Sequence, residues 1–323
     1  ETIQKPLVKE YVKALSSIDD VDLIVPTCYP FEAIIAAQEY KNNINNNVQI
    51  IPYLFDKFSD SPTLHRNQLN KKIKYKNHLL LEEQMIKSSV RVLYVDSWIV
   101  KMKKHFSKYN EKLIHVEHPL IIDHFSELSS DSKKTINEDI NITYTGVIDK
   151  RVRPPYNTLN IISRMIEKDN KLKFHFYVLG NCIDEIDYYN KKYPNNIYNH
   201  GQVESNIALS KIKESSILLS IGNTDVTLIP SKVFEYMSSG KPIIHFFYSE
   251  EDRVISMLKD YKLARCMNQN EKISDSEINM LIEFCNDNKI ENKPFEEVER
   301  IFYKANPRFI ANIILNGQEK FDG

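Results

Sequence analysis

The segment PSKVFEYMSSGKPII, Pro230 to Ile244, places a cation and an acid three residues apart at the start of a predicted helix. The leading proline and serine predict where the helix begins, and the glycine predicts where it ends before a strand. Lys232 lies in the first turn, where the free amides carry about half a positive charge and an acidic residue would be favoured. A diphosphate bound at this helix end would explain the lysine, and Glu235 would then accept hydrogen bonds from ribose hydroxyls. A capped helix with a surface lysine is the alternative.

The loop GVIDKRVRPPYN, residues 146–157, carries a second group of cations between a predicted strand and a helix that begins near Tyr156. Lys150, Arg151 and Arg153 lie in this loop, and guanidinium groups offer a rigid fork of donors suited to phosphate oxygens. Taken alone, the loop is also compatible with a solvated basic surface.

Glycine is confined to the second half of the chain, and none of the seven precedes Gly146. Four of them end predicted strands: Gly146, Gly180, Gly201 and Gly222. In open α/β sheets, ligands bind beyond the carboxyl ends of the strands, where glycine lets a ligand approach the backbone. A single glycine there only starts a loop, but four of them favour a ligand cleft in the second half.

Several familiar catalytic motifs do not occur in the sequence. It contains no G-x-G-x-x-G, G-x-x-x-x-G-K-[ST], G-x-S-x-G or H-E-x-x-H, which argues against dinucleotide, P-loop, serine-hydrolase and zincin chemistry. The D-x-D at Asp20–Asp22 precedes its predicted strand, so we interpret it as a polar strand entrance rather than a metal site. The four cysteines have no metal-like spacing and are expected to be buried thiols in a reducing compartment.

The elements that position these residues alternate between short β-like runs and amphipathic helical patterns, which predicts an α/β protein built on parallel sheets. A chain of 323 residues is expected to form two domains. We predict an amino-terminal domain over residues 1–125, incomplete because it opens with a helix and no preceding strand, then a polar linker over 126–139 and a second domain over 140–293. Residues 294–323 are expected to form terminal helices. Whether these helices pack back onto the first domain stays open. The ten predicted strand segments are VDLIVPT, VQIIPYLF, RVLYVD, KLIHVEHP, INITYTG, KFHFYVLG, NIYNHG, SILLSIG, KPIIHFF and KLARC.

The order of YTGV, RVRPP, HGQVE, LLSIGN and IPSKVFEYMSSGKPII resembles the carboxyl-terminal domain of GT-B glycosyltransferases, bacterial ones and the retaining family-four-like group in particular. The resemblance covers residues 140–250, and its most specific part is the PSK-x-FEY-x-x-x-GKPII block. It implies two doubly wound Rossmann-like domains facing across a cleft, with a nucleotide sugar, expected to be a uridine one, bound by the second. The implied donor-binding residues are Gly146, Arg151, Arg153, Gly201, Gln202, Val203, Asn223, Pro230, Ser231, Lys232 and Glu235. Of these, Arg153 and Lys232 are also implied in the chemistry, since they neutralise the diphosphate.

The groups that would act on the acceptor are less well defined. Retaining relatives often carry Glu-x7-Glu, but the residue eight before Glu235 is Thr227, so retention and inversion both stay open. An inverting enzyme would need a general base from the first domain. Asp56, which follows a predicted strand, is the first candidate and Asp96 the second, while His118 fits a turn better. We expect no metal and no cofactor beyond the nucleotide-sugar co-substrate.

Residues 66–112 contain twelve Lys or Arg against four acids, an excess of +8 in a chain whose formal net charge is −1. Basic, apolar and aromatic residues alternate there, which favours peripheral docking of a cytoplasmic protein to an anionic membrane that carries a lipid-linked acceptor. A solvated basic face is the alternative, and we expect no nucleic-acid partner. The acceptor could also be a glycan or a protein. Two other functions stay open: a non-catalytic GT-B-like subunit or scaffold, and a nucleotide-sugar epimerase.

Overall fold

A computed structural model describes residues 3–61, 68–128, 138–226 and 229–317. These residues form two compact units. The first unit comprises the described residues up to Pro119 together with those from Arg308 onward, and the second runs from Leu120 to Pro307. Residues 129–137 of the predicted linker lie outside the described residues.

The first unit is built on short parallel strands. They are β1 (Leu23–Ile24), β2 (Gln49–Ile50), β3 (Tyr53–Leu54), β4 (Val92–Tyr94) and β5 (Leu113–His115). β1 pairs with β2, and β3, β4 and β5 form a three-stranded sheet in that order. A parallel bridge between Thr27 and Tyr53 joins the two sheets. β2 and β3 are separate strands because Pro52 between them has no N–H to give to a ladder.

The helices of this unit cover its strands, and the strand residues are buried accordingly. The helices are α1 (Lys5–Ser16), α2 (Glu32–Asn43), α3 (Gln68–Ser88) and α4 (Ile99–His105). Ile50, Leu54, Val92 and Leu93 have no exposed surface. Parallel strands buried on both faces read as continuous apolar runs, which is the pattern that predicted them.

The second unit contains a six-stranded parallel sheet in the order β11-β10-β9-β6-β7-β8. Its strands are β6 (Ile140–Ile148), β7 (Leu172–Gly180), β8 (Ile197–Asn199), β9 (Ile217–Ile221), β10 (Ile243–Phe247) and β11 (Ala264–Asn268). This is the doubly wound order, in which the chain starts at the centre, builds one half outward and then returns to build the other. The order reverses between β6 and β9, and ligands of such sheets bind beyond the carboxyl ends of the strands at that point.

Seven helices flank this sheet within the described residues. They are α5 (Tyr156–Lys168), α6 (Ile183–Lys192), α7 (Ser205–Glu214), α8 (Lys232–Ser238), α9 (Arg253–Leu258), α10 (Asp275–Asn288) and α11 (Phe295–Ile301). The apolar stripe of α5 packs Leu159, Ile162 and Met165 against the strands. On the other side of the sheet, Val233, Phe234 and Met237 of α8 enter a second apolar cluster. The last helix, α12 (Pro307–Asn316), belongs to the first unit from Arg308 onward.

Each predicted strand segment contains a strand, so the α/β prediction is confirmed. One local prediction was wrong. Gly146 does not end its strand, because β6 continues to Ile148 and pairs there with Gly180 of β7. α8 begins directly after Ser231 as predicted, although Ser231 has helical backbone angles and its side chain makes no capping hydrogen bond to the described residues. Gly240 does follow α8 as predicted, with a φ of +71° that suits glycine.

Candidate functional site

Gly146 in β6 lies close to two of the predicted cations of the second unit, Arg153 and Lys232. A Cβ atom placed on this glycine would lie 3.7 Å from Lys232 Cγ, 3.9 Å from Arg153 Nη1 and 3.6 Å from the Tyr144 hydroxyl. Its φ of +140° is a conformation open to glycine and strained for other residues. The guanidinium of Arg153 and the side-chain stem of Lys232, which are far apart in sequence, therefore both lie beside backbone that carries no side chain.

Arg153 is held in place on several sides. Its Nη2 and Nε donate to Asn223 Oδ1 at 2.7 and 3.1 Å, and its Nη1 donates to Val147 O at 3.1 Å and to the Tyr144 hydroxyl at 3.3 Å. Burial raises the pKa of Tyr144 although the charge of Arg153 opposes this shift, so the hydroxyl stays protonated near neutral pH. Tyr144 donates to Val147 O at 2.9 Å. The guanidinium is thus fixed in one orientation before any ligand binds.

The loops that carry Arg153 and Asn223 are joined to each other across the switch point. Thr224 N donates to Val152 O at 2.8 Å, and Thr224 Oγ1 donates to Arg151 O at 2.6 Å. Asp149 stabilises a turn in the basic loop. Its carboxylate accepts hydrogen bonds from the backbone amides of Arg151 and Val152 at 2.8 and 2.9 Å. These hydrogen bonds hold the pKa of Asp149 below its usual value. The Arg151 side chain itself is exposed.

α8 brings Lys232 and Glu235 to the same place. Lys232 Nζ donates to both oxygens of Glu235, at 2.8 and 2.7 Å, and both side chains are partly exposed. The helix is fixed against β6 because Thr145 N donates to the Tyr236 hydroxyl at 2.7 Å. The acid predicted for the ribose therefore pairs with the cation predicted for the diphosphate. Pro230 before the helix is buried, and Ser231 is exposed.

The predicted base-binding residues follow β8, the strand at one edge of the sheet. Gly201 follows β8, has a φ of +67° and donates its amide to Asn199 Oδ1 at 3.0 Å. Gln202 is exposed and Val203 is partly buried. β7 lies between β8 and β6, and adjacent strands are about 4.8 Å apart. Two strand spacings therefore correspond to about 10 Å between this group and Gly146 along the same carboxyl edge.

The sequence analysis did not predict a buried network of hydrogen-bonded polar residues near Asn223. His245 in β10 contacts Ser220 Oγ through Nδ1 at 2.9 Å and Asp252 Oδ2 through Nε2 at 3.3 Å. The other oxygen of Asp252 accepts Val254 N at 2.9 Å as the cap of α9. A Cβ atom on Gly222, next to Asn223, would lie 2.4 Å from Asp252 Oδ2. The only sequence signal for this arrangement was an aspartate before a helical pattern.

Acidic and aromatic groups follow the strands of the first unit. The Asp56 side chain is exposed, and its carbonyl accepts Trp98 Nε1 at 3.0 Å and Cys28 Sγ at 2.6 Å. Asp96 accepts a hydrogen bond from His115 Nε2, or donates to it, at 2.6 Å. His118 packs its ring against that of Phe55. The backbone of Asp56 is therefore anchored while its carboxylate reaches solvent.

None of the four cysteines is suited to nucleophilic chemistry, because burial keeps their thiols protonated. Burial raises the pKa of Cys28 to about 12 and that of Cys266 to about 11. It also raises the pKa values of Cys182 and Cys285. Since the thiolate is the nucleophilic form, none of the four is activated.

Some basic residues of the segment 66–112 form ion pairs and hydrogen bonds inside the first unit. Lys101 is buried between Glu82 and Asp60, at 3.0 and 2.8 Å. Lys108 pairs with Glu83 at 2.6 Å, and Lys112 donates to backbone carbonyls. Arg66 lies outside the described residues, as does Thr227 of the Glu-x7-Glu comparison.

The exposed remainder of that segment combines lysine with apolar side chains. On α3, Leu69, Ile73 and Leu80 are 50–68% exposed and share one helix face. Lys72 and Lys76 are exposed on the same helix. Val100, 76% exposed, starts the same pattern on α4 with Lys103 and Lys104.

Comparisons with solved structures identify the fold. The lipopolysaccharide outer core galactosyltransferase WaaB matches 97% of this chain and 80% of its own, with 11% identity and a TM-score of 0.55. A candidate UDP-N-acetylglucosamine 2-epimerase from Listeria monocytogenes matches 98% and 80%, with 8% identity and a TM-score of 0.56. Staphylococcus aureus MnaA with UDP matches 98% and 81%, with 10% identity and a TM-score of 0.50.

The chain has the GT-B fold, and the predicted fold class is confirmed by these matches. It spans 56% of the length of S. aureus TarM, which is matched at a TM-score of 0.46. No protein-family model and no curated protein sequence matches the chain. Among the described residues, no helix is both long enough and apolar enough to cross a bilayer.

Proposed function

We propose that this protein is a glycosyltransferase that takes a sugar from a nucleoside-diphosphate sugar, a uridine one, and passes it to a glycan, lipid-linked or protein acceptor. The observation that carries the proposal is the convergence of Arg153 and Lys232 on Gly146 at the switch point of a doubly wound sheet. That position is where such sheets bind nucleotides.

The diphosphate would lie over Gly146. Asn223 orients Arg153, so that its guanidinium offers fixed donors to phosphate oxygens at little cost in side-chain entropy. Lys232 adds a second positive charge from α8. As the bond to the sugar breaks, negative charge grows on the leaving diphosphate, and preorganised cations stabilise that charge. We propose that the donor site needs no metal ion because these side chains supply the positive charge.

The rest of the donor would follow the carboxyl edge of the sheet. Gly201, Gln202 and Val203 would receive the base on backbone groups about 10 Å from Gly146, a span that suits a nucleoside diphosphate. Glu235 would exchange part of its contact with Lys232 for the ribose hydroxyls. The other predicted donor-binding residues, Arg151, Asn223, Pro230 and Ser231, would line the diphosphate and sugar portions.

The first unit would handle the acceptor. Asp56 is our first candidate for the general base of an inverting reaction, since its carboxylate is exposed and its backbone is anchored by Trp98 and Cys28. Asp96 and His118 are the alternatives at the same edge.

A panel of nucleotide sugars tests the proposal, with binding measured by calorimetry and turnover measured with and without acceptor extracts. Release of free nucleoside diphosphate that requires acceptor supports a transferase. Failure to bind any nucleoside diphosphate would contradict the proposal, and binding with no turnover in any extract would instead favour a non-catalytic subunit.

Lys232→Ala gives the sharpest single variant, because Lys211→Ala is a matched control. Lys211 forms the same i,i+3 pair with Glu214, at 2.6 Å, on α7. We expect Lys232→Ala to weaken UDP binding by about 10- to 100-fold, the value of one charge-assisted hydrogen bond, and Lys211→Ala to leave it unchanged.

A nucleotide-sugar epimerase is the second candidate, since two proteins described as UDP-N-acetylglucosamine 2-epimerases share the fold at TM-scores of 0.56 and 0.53. The same panel separates the two functions. An epimerase converts the sugar of its nucleotide-bound substrate with no acceptor present, and a transferase does not.

We also propose that the first unit associates peripherally with anionic membranes. The exposed face of α3, with Leu69, Ile73 and Leu80 beside Lys72 and Lys76, combines apolar insertion with attraction to anionic lipid. Sedimentation with phosphatidylglycerol vesicles should exceed that with phosphatidylcholine vesicles, and Ile73→Glu should abolish the difference. Equal binding to both lipids would contradict the proposal.

A further inference from the structure

Three potential metal ligands lie together at the carboxyl edge of the first unit. Asp96, His115 and Glu117 place one ligand atom each within 4.8 Å of one another, and no other group of three or more His, Cys, Asp or Glu does so among the described residues. His115 ends β5, and Glu117 comes two residues later, while Asp96 comes two residues after β4. β4 and β5 are parallel neighbours, so the sheet itself brings the three residues to one place.

The surrounding backbone is well fixed. Val116 N donates to Tyr94 O at 3.0 Å, which extends the pairing of the two strands into the cluster. The Tyr53 hydroxyl donates to the carbonyl of Glu117. The Glu117 side chain is 10% exposed, whereas those of His115 and Asp96 are 27% and 21% exposed. The cluster is therefore anchored from inside the unit and open to solvent on one side.

We propose that these three residues bind a divalent transition-metal ion, Zn²⁺ or Mn²⁺. An imidazole nitrogen and two carboxylate oxygens form a donor set that both ions accept, and two carboxylates match a charge of +2. Three protein ligands leave coordination positions open to water or to a hydroxyl group of a substrate, as in metal sites that act on substrates rather than structural ones. All three ligands belong to the first unit, whereas the residues of the proposed donor site belong to the second.

Two distances in the cluster need only small changes to admit the ion, and all three ligand atoms lie within 4.8 Å of one another. His115 Nε2 lies 2.6 Å from Asp96 Oδ1 and 3.8 Å from Glu117 Oε1. Ligands bonded at about 2.0–2.2 Å are roughly 3–3.5 Å apart, so the first pair would open and the second would close by about half an ångström each. The ion would take the place of the proton that His115 and Asp96 share, because bound ligands are deprotonated.

A second pair of imidazoles provides an internal control. His175 Nδ1 and His200 Nε2 lie 3.0 Å apart on the sheet of the second unit, and two neighbouring histidines can hold a metal ion adventitiously. Any binding experiment must therefore distinguish His115 from this pair.

The test uses the full chain, stripped with chelator and titrated with Co²⁺ by visible absorption and with Zn²⁺ by calorimetry. We expect one ion per chain and cobalt bands from the bound ion. His115→Gln and Asp96→Asn should each weaken binding at least about 10- to 100-fold, because loss of even an outer-shell partner of a ligand costs that much, and His200→Gln should leave it unchanged. Because metal binding should also raise the unfolding temperature of the wild type, a thermal shift present in the wild type and in His200→Gln but absent in Asp96→Asn gives a second measurement.

The proposal is overturned if the wild type binds no Co²⁺ below about 100 µM, a level at which the ion would add little stability. It is also overturned if His200→Gln, rather than His115→Gln, removes the binding. If His115→Gln does not fold, Glu117→Gln and Asp96→Asn decide by the same criterion. None of these measurements uses a nucleotide, so their failure and the failure of the proposed transferase activity are independent.

Discussion

The two units have parallel strands that end in functional groups, and the charge of those groups is opposite. In the second unit, Arg153 and Lys232 lie over a glycine at the carboxyl edge of the sheet. In the first unit, Asp56, Asp96 and Glu117 follow strands with the same direction. The parallel sheet determines where a ligand can bind, and the residues just after the strands determine its charge. The cationic edge suits a diphosphate, and the acidic edge suits hydroxyl groups and cations.

The sheets also differ in regularity. β6 and β7 are nine residues long and pair along their whole length, whereas strands of the first unit have two or three residues. The long pair forms a rigid base for Gly146. In the first unit, proline interrupts the ladder between β2 and β3, so the groups there are held by side-chain hydrogen bonds such as the one from Trp98 to Asp56 O.

The largest expected effect is on the acidic edge. Asp56→Asn should reduce kcat by about 100- to 1000-fold, the usual contribution of a general base, and should leave UDP affinity unchanged because the residues of the proposed donor site belong to the other unit. Steady-state kinetics at saturating donor and calorimetry with UDP measure the two quantities. Asp19→Asn, an exposed acid of the same unit, serves as the control. An unchanged kcat would remove Asp56 from the mechanism and leave Asp96 or His118.

On the cationic edge, Arg153→Ala should weaken UDP binding by about 100-fold, because it removes a preorganised guanidinium from phosphate oxygens. Asn223→Ala should produce part of the same loss, since Asn223 accepts two hydrogen bonds from Arg153. Lys191→Ala, a surface change on α6, is the control. Calorimetric affinities within about twofold of the wild type for Arg153→Ala would reject the diphosphate site.

A smaller effect separates the two roles of Glu235. Glu235→Ala would remove the proposed ribose contact and also the pairing with Lys232, so we expect UDP affinity to fall by about tenfold while pyrophosphate affinity stays equal or rises. Glu214→Ala on α7 is the matched control, because Glu214 pairs with Lys211 at the same i,i+3 spacing. Equal losses for both ligands would mean that Glu235 only positions Lys232.

The smallest expected effect comes from a histidine. The surroundings of His115 in the first unit and of His175 in the second unit differ in charge. His115 lies against a carboxylate, whereas burial, with the neighbouring His200 and Lys211, lowers the pKa of His175 to about 4. Between about pH 6.5 and 4 the unfolded chain therefore binds a proton that the folded protein rejects, so stability is lost as the pH falls through this range. His175→Asn should lose less stability than the wild type between pH 7 and 5 in urea unfolding. An identical pH dependence would show that His175 does not contribute.

The local pattern of the sequence predicted most elements, because burial on both faces leaves apolar runs such as SILLSIG that can be recognised without knowing their neighbours. The start of α5 at Tyr156 and the glycine after α8 were also predicted from local signals. The extent of β6 was not predicted, because its last residues, Val147 and Ile148, form a strand by pairing with Leu179 and Gly180 of β7. The role of Tyr144 and the chain of His245, Asp252 and Gly222 were missed, since they depend on contacts between distant segments.

The sequence by itself determined the kinds of groups available: a parallel α/β architecture, cations after the strands of one half, and acids after those of the other. Those features follow from residue type and period, which are local properties. Only the tertiary structure decided that Lys232 meets Arg153 over Gly146, and that Asp96 meets His115. The physical reason is that such meetings depend on strand order, and strand order is set by how whole helices and strands pack.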